Sequence, residues 1–406
     1  MEKGFLLDHN ANNVPFIFLI ISYIFSYYYI DIGFALKPFM ILSLIFLVLS
    51  LKKFKIHKLM GYELAMLIFF FYYCSTGFFA KYPMYSLRLA LGIMLVVTCY
   101  FIMRYIISLA TLEKVKQWVL IGGLIFNGLS LSLYFIGLAS LNFVIGGNQI
   151  KSYGVWMDRG FPRLNGLIGD PNVFCFYNFL FFFFALTHLD RKWAKICLLL
   201  SGTTMLLSFS RGGILAIAFS LFFVFIYSSF KKKLILLTVL PAVGVLVNLI
   251  LTKLFEINIF AMVGQRFLAT SEDNGSGRTV LWSRGIEFFS ESPLFGLGLF
   301  NYRAYSEVIY GSPAYMHNTF MDVLVDGGLV GIALYTILFI SILVTYFKNI
   351  NIIADRGFIL FTFIAMIIFM MTYSLMTNEA FFIMLVVFWK FLNEAKNNSL
   401  TSSTSI

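Results

Sequence analysis

VLVDGGLVGIALYTILFISILVTYF, residues 323–347, contains one charged side chain, Asp326, in an otherwise apolar or weakly polar run. A bilayer core of about 30 Å requires roughly 20 apolar residues per helical span. Similar runs recur along the chain, in which 60% of residues are hydrophobic, 12% are charged and the mean hydropathy is +0.88. A soluble protein could not cover this much apolar surface with polar groups. The sequence therefore predicts an all-α, polytopic transmembrane bundle that forms one domain over residues 1–406.

Apolar runs between charge clusters predict about twelve spans. In chain order these are Val14–Ile30, Phe34–Leu51, Tyr62–Ala80, Leu89–Leu109, Trp118–Leu138, Val173–Leu189, Trp193–Phe209, Ile214–Phe230, Leu234–Leu251, Val323–Phe347, Phe358–Leu375 and Ala380–Leu392. No small-residue cleavage site follows the first span, so we expect this span to be retained.

Lysine-rich connections set the expected orientation of these spans. They contain Lys52, Lys53, Lys55 and Lys58, then Lys114 and Lys116, then Arg191, Lys192 and Lys195, and finally Lys231 to Lys233. Basic residues in short loops mark the cytoplasmic side of a membrane protein. We therefore expect both termini in the cytoplasm, and we expect residues 139–172, the Ser210–Gly213 turn and a partly helical loop over residues 252–319 on the external side.

The two sides differ in the kind of positive charge they carry. The predicted topology places fifteen Lys and three Arg inside, but four Lys and eight Arg outside. The external arginines are Arg88, Arg159, Arg163, Arg211, Arg266, Arg278, Arg284 and Arg303. Because a guanidinium fork matches phosphate oxygens two at a time, this set predicts a phosphate ligand on the outer face. The alternative is that these arginines pair with external carboxylates or contact lipid headgroups.

Two short segments offer anion sites. The turn Ser208-Phe-Ser-Arg-Gly-Gly213 joins two spans so tightly that Arg211 must lie near headgroup depth, where it would meet a lipid phosphate or simply snorkel. The segment Asn274-Gly-Ser-Gly-Arg278 precedes a predicted short helix, Thr279–Phe289, capped by Ser276 or a nearby glycine. Arg278 adds a full charge to the anion-favouring end of that helix. A plain interfacial helix is the alternative.

Two further segments contain candidate catalytic and binding residues. His317 stands at the outer mouth of the tenth predicted span, and Asn318, Asp322 and Asp326 follow on one helical stripe. An imidazole with a pKa of roughly 6.5 suits proton abstraction near neutrality, although a helix-capping role is the alternative. Residues 159–172 contain Arg159, Arg163 and Asp170. Asp170 precedes a proline and therefore reads as a helix N-cap.

The sequence contains no motif for binding a metal ion, a redox group or a nucleotide. The four cysteines, Cys74, Cys99, Cys175 and Cys197, lie in apolar runs without metal or redox spacing. No cluster has the spacing of metal ligands and no glycine-rich nucleotide loop occurs. We therefore expect no cofactor.

Four stretches together resemble the bacterial O-antigen polymerase and O-antigen ligase superfamily of membrane glycosyltransferases. They are RLNGLIGDPN from Arg163, SRGG from Ser210, GRTVLW from Gly277 with SPLFGLG downstream, and HNTFMDVLVDGGLVG from His317. The resemblance implies a GT-C-like helical bundle in the bacterial cytoplasmic (inner) membrane, with its active site on the periplasmic face. It also implies metal-independent, inverting transfer of an undecaprenyl-pyrophosphate-linked glycan.

Within this resemblance, each candidate residue receives an expected role. His317 would deprotonate the acceptor, Arg211 and Arg278 would stabilise the pyrophosphate, and Arg163 would assist them. The expected substrate-binding set is completed by Arg159, Arg284, Arg88, Asn318, Asp322 and Asp170. The expected partners are the lipid-linked glycan donor and acceptor, membrane lipid and a chain-length regulator protein, with no nucleic acid.

Three functions are compatible with these observations. The first is a polymerase that extends O-antigen or capsular polysaccharide by one repeat unit at a time. The second is an O-antigen ligase that transfers the finished chain to lipid A core. The third is a flippase or transporter for lipid-linked oligosaccharides, which would need a polar path through the bilayer. Few charged residues lie deep in the predicted spans, chiefly Glu63, Arg104, Asp322 and Asp326. This small number favours the two enzymes over the transporter.

Overall fold

A computed structural model describes residues 12–32, 34–272, 277–353 and 356–403. The first nine helices are α1 (Val14–Ile24), α2 (Pro38–Ser50), α3 (Gly61–Ser75), α4 (Pro83–Leu109), α5 (Leu112–Ser140), α6 (Pro171–Thr187), α7 (Ala194–Leu207), α8 (Arg211–Tyr227) and α9 (Phe230–Phe255). They are followed by α10 (Ile259–Glu272), α11 (Arg278–Phe289), α12 (Asn301–Tyr310), α13 (Thr319–Lys348), α14 (Gly357–Met370) and α15 (Glu379–Ser403). The five strands are β1 (Ile30–Asp31), β2 (Ala35–Leu36), β3 (Ile150–Ser152), β4 (Val155–Asp158) and β5 (Phe161–Leu164).

Each of the twelve predicted spans contains a helix, which makes the protein a multi-pass helical membrane protein. Within the described residues, five helical stretches are long and apolar enough to cross a membrane: Gly61–Phe79, Pro83–Leu109, Leu112–Ser140, Leu236–Phe255 and Thr319–Lys348. The other apolar helices are shorter than a full span. The count of twelve therefore stays a prediction. The main apolar core runs through the bundle, where α6, α14 and α15 bury side chains nearly all round, and a smaller apolar cluster includes Phe288 and Met316.

Three predicted boundaries are wrong. The first span was predicted to reach Ile30, but α1 ends at Ile24 and the chain then forms the β1–β2 ribbon. The eleventh was predicted to reach Leu375, but α14 ends at Met370, so Thr372 and Tyr373 lie in a connection. The last helix starts at Glu379 and runs well beyond the predicted end. Apolar residues in the connections produced the first two errors, since hydropathy does not distinguish a buried loop from a helix. The third arose because the helix continues through polar residues after Leu392, which hydropathy does not assign to a span.

The all-α prediction also missed a three-stranded antiparallel sheet, β3-β4-β5, between α5 and α6. A two-residue turn, Arg159-Gly160, joins β4 to β5, and both residues have positive φ, 52° and 78°. Such turns match the right-handed twist of a hairpin. The sheet holds Asp158 and Arg163 on neighbouring strands, and it is the platform for the site described below.

Helix α13 is interrupted at Gly328, whose backbone is not helical (φ 69°, ψ −170°). The SPLFGLG segment, residues 292–298, fills the break. Leu297 and Gly298 donate backbone N–H groups to the carbonyls of Val325 and Asp326, and Leu329 and Val330 donate to those of Pro293 and Leu294, all at 2.9–3.2 Å. A Cβ on Gly328 would lie 2.3 Å from the Leu294 oxygen. The glycines at the break in α13 and in residues 292–298 therefore allow the two backbones to approach closely. At this point each backbone supplies hydrogen-bond partners to the other.

The lysine-rich connections meet at one end of the bundle. Arg191 Nη2 binds both carboxylate oxygens of Glu113, at 2.9 and 3.1 Å. Arg104 Nη2 donates to the carbonyl of His57 at 2.5 Å. These contacts tie the connection before α3 to the last part of α4, and the connection before α7 to the start of α5. We call this end of the bundle the lysine end. The predicted sidedness groups the same connections, and which face of the membrane they occupy stays a prediction.

Candidate functional site

The side chain of Arg163, on β5, is 4% exposed and bonded through all of its nitrogens. Nε donates to the carbonyl of Ser208 at 3.0 Å, Nη1 to Asp158 Oδ2 at 3.1 Å, and Nη2 to Asn172 Oδ1 at 3.0 Å. The guanidinium thus ties the sheet to the α7–α8 turn and to the start of α6. Because charge-assisted hydrogen bonds are the strong ones, this guanidinium has a fixed position and orientation.

Arg163 belongs to a group of four neighbouring arginines, and we call Arg159, Arg163, Arg211 and Arg266 the arginine cluster. Arg266 Nη2 lies 3.6 Å from Asp158 Oδ2, and Arg211 Nη1 donates to the carbonyl of Arg266 at 3.1 Å. Burial, followed by the charge of Arg163, lowers the pKa of Arg266 to about 10, and Arg211 and Arg159 add to the effect. Three guanidinium groups therefore act on Arg266, which stays protonated at neutral pH.

The turn at residues 208–213 presents Arg211 at the start of α8. Ser210 is the N-cap, and its Oγ accepts from the N–H of Gly213 at 3.2 Å. A Cβ on Gly212 would lie 2.4 Å from Thr372 Oγ1, and one on Gly213 would lie 2.7 Å from Cys175 Sγ. These two glycines therefore permit a close approach that a larger side chain would prevent. The turn is thereby held against both α6 and the α14–α15 connection.

His317 lies immediately before α13 with a left-handed backbone, φ 51°. Its neighbours fix the segment: Asn318 Oδ1 caps α13 by accepting from Phe320 and Met321, and Trp282 Nε1 donates to the carbonyl of Met316 at 2.8 Å. Burial and the charge of Arg278 lower the pKa of His317, and Asp170 opposes them. The imidazole is therefore neutral at physiological pH, as a general base requires.

Tyr373 connects His317 to the N-cap of α6. The two rings are 5.3 Å apart between centroids, and the Tyr373 hydroxyl donates to Asp170 Oδ2 at 2.9 Å. Asp170 Oδ1 in turn accepts from the N–H groups of Asn172 and Val173, so the predicted cap is present. Burial and Asp170 raise the pKa of Tyr373, so its hydroxyl stays protonated and donates. Thr319 Oγ1 donates to the carbonyl of Tyr373 at 2.7 Å, which ties the connection to α13.

A continuous chain of contacts thus runs from His317 through Tyr373 and Asp170 to the start of α6. There Asn172 Oδ1 accepts from both Arg163 and Ser210, the residue beside Arg211. Arg278 is the first residue of α11, with Gly277 as a left-handed N-cap, and its charge reaches His317. Ser276, the other predicted cap, lies outside the described residues. The structure therefore brings together the histidine and the arginines of the four sequence motifs.

Other predicted site residues lie elsewhere or serve the fold. Arg284 stacks on the ring of Tyr310 at 3.8 Å. Arg88 is exposed on α4, near the hydrogen-bonded pair of Tyr85 and Glu307. Asp322, in the first turn of α13, accepts a hydrogen bond from the backbone of Met316. Asn318 is the N-cap already described. Neither Arg284 nor Arg88 takes part in the contact chain.

The deep charges are engaged in structural contacts. Arg104 Nη1 and Glu63 Oε2 are 2.5 Å apart, and both side chains are essentially inaccessible. Tyr100 donates to the same carboxylate at 2.7 Å. Asp326 accepts from the backbone N–H of Tyr302 at 2.8 Å and so anchors the start of α12.

Sequence reasoning missed Tyr373, Asn172 and Arg266 as site residues. Tyr373 was assigned to a span, and Arg266 was counted among the external arginines without a role. Asp158 is one of the external carboxylates that the alternative interpretation pairs with these arginines, and it serves two of them at once. The charge of Arg266 was the signal that could have identified this residue. No feature of the sequence indicates that Tyr373 contacts Asp170.

Comparison with known proteins agrees with the motifs. The family model described as O-antigen ligase matches residues 196–336, which include the SRGG, GRTVLW, SPLFGLG and HNTFMDVLVDGGLVG stretches. The chain is also similar to the exopolysaccharide production protein ExoQ of Rhizobium meliloti (strain 1021), with 38% identity over 77 residues, or 16% of this chain. The match spans 18% of the length of that relative. The predicted resemblance to the O-antigen polymerase and ligase superfamily is confirmed, and a polysaccharide polymerase or ligase type of function is supported.

Proposed function

We propose that this protein is a glycosyltransferase that polymerises undecaprenyl-pyrophosphate-linked repeat units into O-antigen or capsular polysaccharide. The proposal rests on one observation, the contact chain that joins His317 to the arginine cluster through Tyr373 and Asp170. A neutral base and a set of guanidinium groups are what transfer from a pyrophosphate carrier requires. The active site would lie on the external face of the bacterial cytoplasmic membrane.

The proposed reaction has one inverting step. A hydroxyl oxygen of the acceptor sugar attacks the anomeric carbon of the donor glycan, and the bond from that carbon to the pyrophosphate oxygen breaks. The hydroxyl proton passes to a ring nitrogen of His317, while undecaprenyl pyrophosphate leaves with the bonding electrons. Arg163, Arg211 and Arg278 stabilise the negative charge that develops on the leaving group.

The contacts of the site support a division of roles. Arg163 is bonded on three sides and contributes a fixed field. Arg211 and Arg278 stand at helix starts, where backbone amides also favour an anion. Tyr373 and Asp170 orient His317, and Arg266 adds charge behind Arg211. Arg159, on the hairpin turn, would contact the outer part of the substrate.

Ligation of a finished chain to lipid A core is the second candidate, because the matching family is described as O-antigen ligase. The donor half of the reaction is the same, and only the acceptor differs. Transport receives less support, since the deep pair Glu63–Arg104 and the carboxylate of Asp326 are engaged in contacts that hold the fold together.

The test is a gel of surface polysaccharide from a bacterial host that lacks this gene. The strain is complemented with wild type, His317→Ala, or His57→Gln as a histidine control at the lysine end. Loss of a general base costs about 10²–10⁴ in rate, so we expect the polymer ladder with wild type and the control, and core bearing one repeat unit with His317→Ala.

Two other results would decide against this proposal. Bare core with polymer accumulating on the lipid carrier in the deletion strain would identify a ligase. A full ladder with His317→Ala, at equal protein level, would remove His317 from the mechanism under either function.

A further inference from the structure

A cavity of about 480 Å³ opens at the lysine end, far along the chain from every motif used above. It lies between the start of α5 and the connection that precedes α7. Its charged lining consists of Lys114, Lys192, Arg191 and the carboxylate of Glu113, and Leu120, Ile121 and Trp193 line its apolar part. It therefore combines basic side chains and an apolar wall.

The cations of this cavity are arranged unequally. Arg191 is held by both oxygens of Glu113, so its charge is locally balanced. Lys114 Nζ lies 3.1 Å from the neutral Gln117 Oε1, and Lys192 Nζ lies 4.9 Å from the centre of the Trp193 ring. Amide and indole partners leave the positive charge of both lysines in place. Helices α5 and α7 also begin here, so their amide-rich ends add to the positive field.

The apolar wall is suited to a lipid rather than to a soluble anion. Leu120 and Ile121 lie two turns into α5, on the membrane side of the lysines. Trp193 is 50% exposed and has a left-handed backbone, φ 77°, which turns the chain into α7. An exposed indole beside basic side chains is typical of the membrane–water interface, where its ring lies at headgroup level.

We propose that this cavity binds one anionic phospholipid. The headgroup phosphate lies between Lys114 and Lys192, the glycerol region contacts Trp193, and an acyl chain follows Leu120 and Ile121. Charge complementarity selects an anionic headgroup, because basic pockets between transmembrane helices bind such headgroups. The inference is independent of glycan transfer, since the cavity shares no residue with the contact chain of His317.

Native mass spectrometry of the purified protein tests this site, with phosphatidylglycerol as the probe and phosphatidylcholine of the same acyl chains as the comparison. The variant Lys114→Gln/Lys192→Gln removes both cations. Lys52→Gln/Lys58→Gln is the matched control, because both lysines are exposed at the same end and lie outside the cavity. Loss of two cations should weaken phosphatidylglycerol binding about 30-fold, whereas the control should keep it.

Two outcomes would overturn the proposal. One is equal retention of the two phospholipids by wild type. The other is an equal loss of phosphatidylglycerol in both double variants, which would indicate general surface charge rather than a site. Thermal unfolding without added lipid verifies that each variant is folded, and His317-dependent polymer formation reports separately on the proposed glycosyltransferase.

Discussion

Arg104 and Arg163 are both nearly inaccessible, 1% and 4% exposed, yet their surroundings differ in charge balance. Arg104 faces one carboxylate, Glu63, and adds a bond to the carbonyl of His57. Arg163 shares the carboxylate of Asp158 with Arg266, and Arg211 and Arg159 act on the same group of charges. The first arginine pairs with one carboxylate, whereas the second shares its carboxylate with Arg266 and lies among further guanidinium groups.

This difference separates structural charge from charge held for a ligand. Taking an ion out of water costs several kcal/mol, which a single well-placed partner can offset. Additional cations around one carboxylate repel each other and raise the free energy of the empty site. Under the proposed function, an anionic substrate that enters the site relieves that repulsion, and its binding offsets the cost of assembling the cluster.

The largest expected effect comes from replacing a cluster arginine by lysine, which keeps the charge and removes the planar fork. Arg163→Lys breaks three directed hydrogen bonds and should lower polymer formation about 10²- to 10³-fold, the range measured for loss of one oriented donor. The rate of polymer formation per unit of protein in membranes measures this. Arg303→Lys is the control, because Arg303 contacts Tyr315 outside the contact chain. Equal rates for the two variants would contradict a role of the fork.

Substitutions in the Glu63–Arg104 pair should lower the stability of the protein rather than its activity. Glu63→Ala leaves the Arg104 charge buried without its carboxylate, at a cost of about 3–5 kcal/mol. We expect a large fall in the midpoint of thermal unfolding in detergent. The double variant Glu63→Leu/Arg104→Met should recover most of that loss, since an apolar pair of similar volume replaces both charges. An unchanged midpoint for Glu63→Ala would show that Glu63 does not hold Arg104.

A smaller effect is expected in the pH dependence of the reaction. The pKa of His317 is lowered by burial and by Arg278, and Asp170 raises it. In the proposed mechanism the base is the neutral imidazole, so activity should fall as the pH drops through that pKa. Arg278→Gln should move the acid limb of the rate profile to higher pH, and Asp170→Asn should move it to lower pH. Shifts of both variants in the same direction would contradict this assignment of His317.

The sequence allowed the membrane class, the motif positions and both helix starts near the site to be predicted, because periodicity and capping are local. The N-caps at Asp170 and Gly277 illustrate this. The helix break at Gly328 was missed, since the SPLFGLG segment that fills it lies about thirty residues earlier, beyond any local pattern. The sheet at residues 150–164 was missed because its strands are only three or four residues long.

The site itself was predicted in part. The tight turn pointed to Arg211, the start of a predicted helix pointed to Arg278, and the position at the mouth of a span pointed to His317, whereas Arg163 came from the family resemblance. Tyr373 could not be found, because its contact with Asp170 joins residues about two hundred positions apart. Arg284 and Arg88 share the same charge as the cluster but lie elsewhere, which the sequence could not distinguish.

Lipid binding to the purified protein in nanodiscs tests the central claim most directly. Undecaprenyl pyrophosphate and undecaprenyl phosphate are compared on wild type, on Arg163→Lys/Arg211→Lys and on the Arg303→Lys control. Wild type and control should bind the pyrophosphate at least about tenfold more tightly, since a second phosphate meets further guanidinium groups, and the double variant should lose this preference. Equal affinity of wild type for the two lipids, or an unchanged preference in the double variant, would contradict the assignment of the arginine cluster to a pyrophosphate carrier.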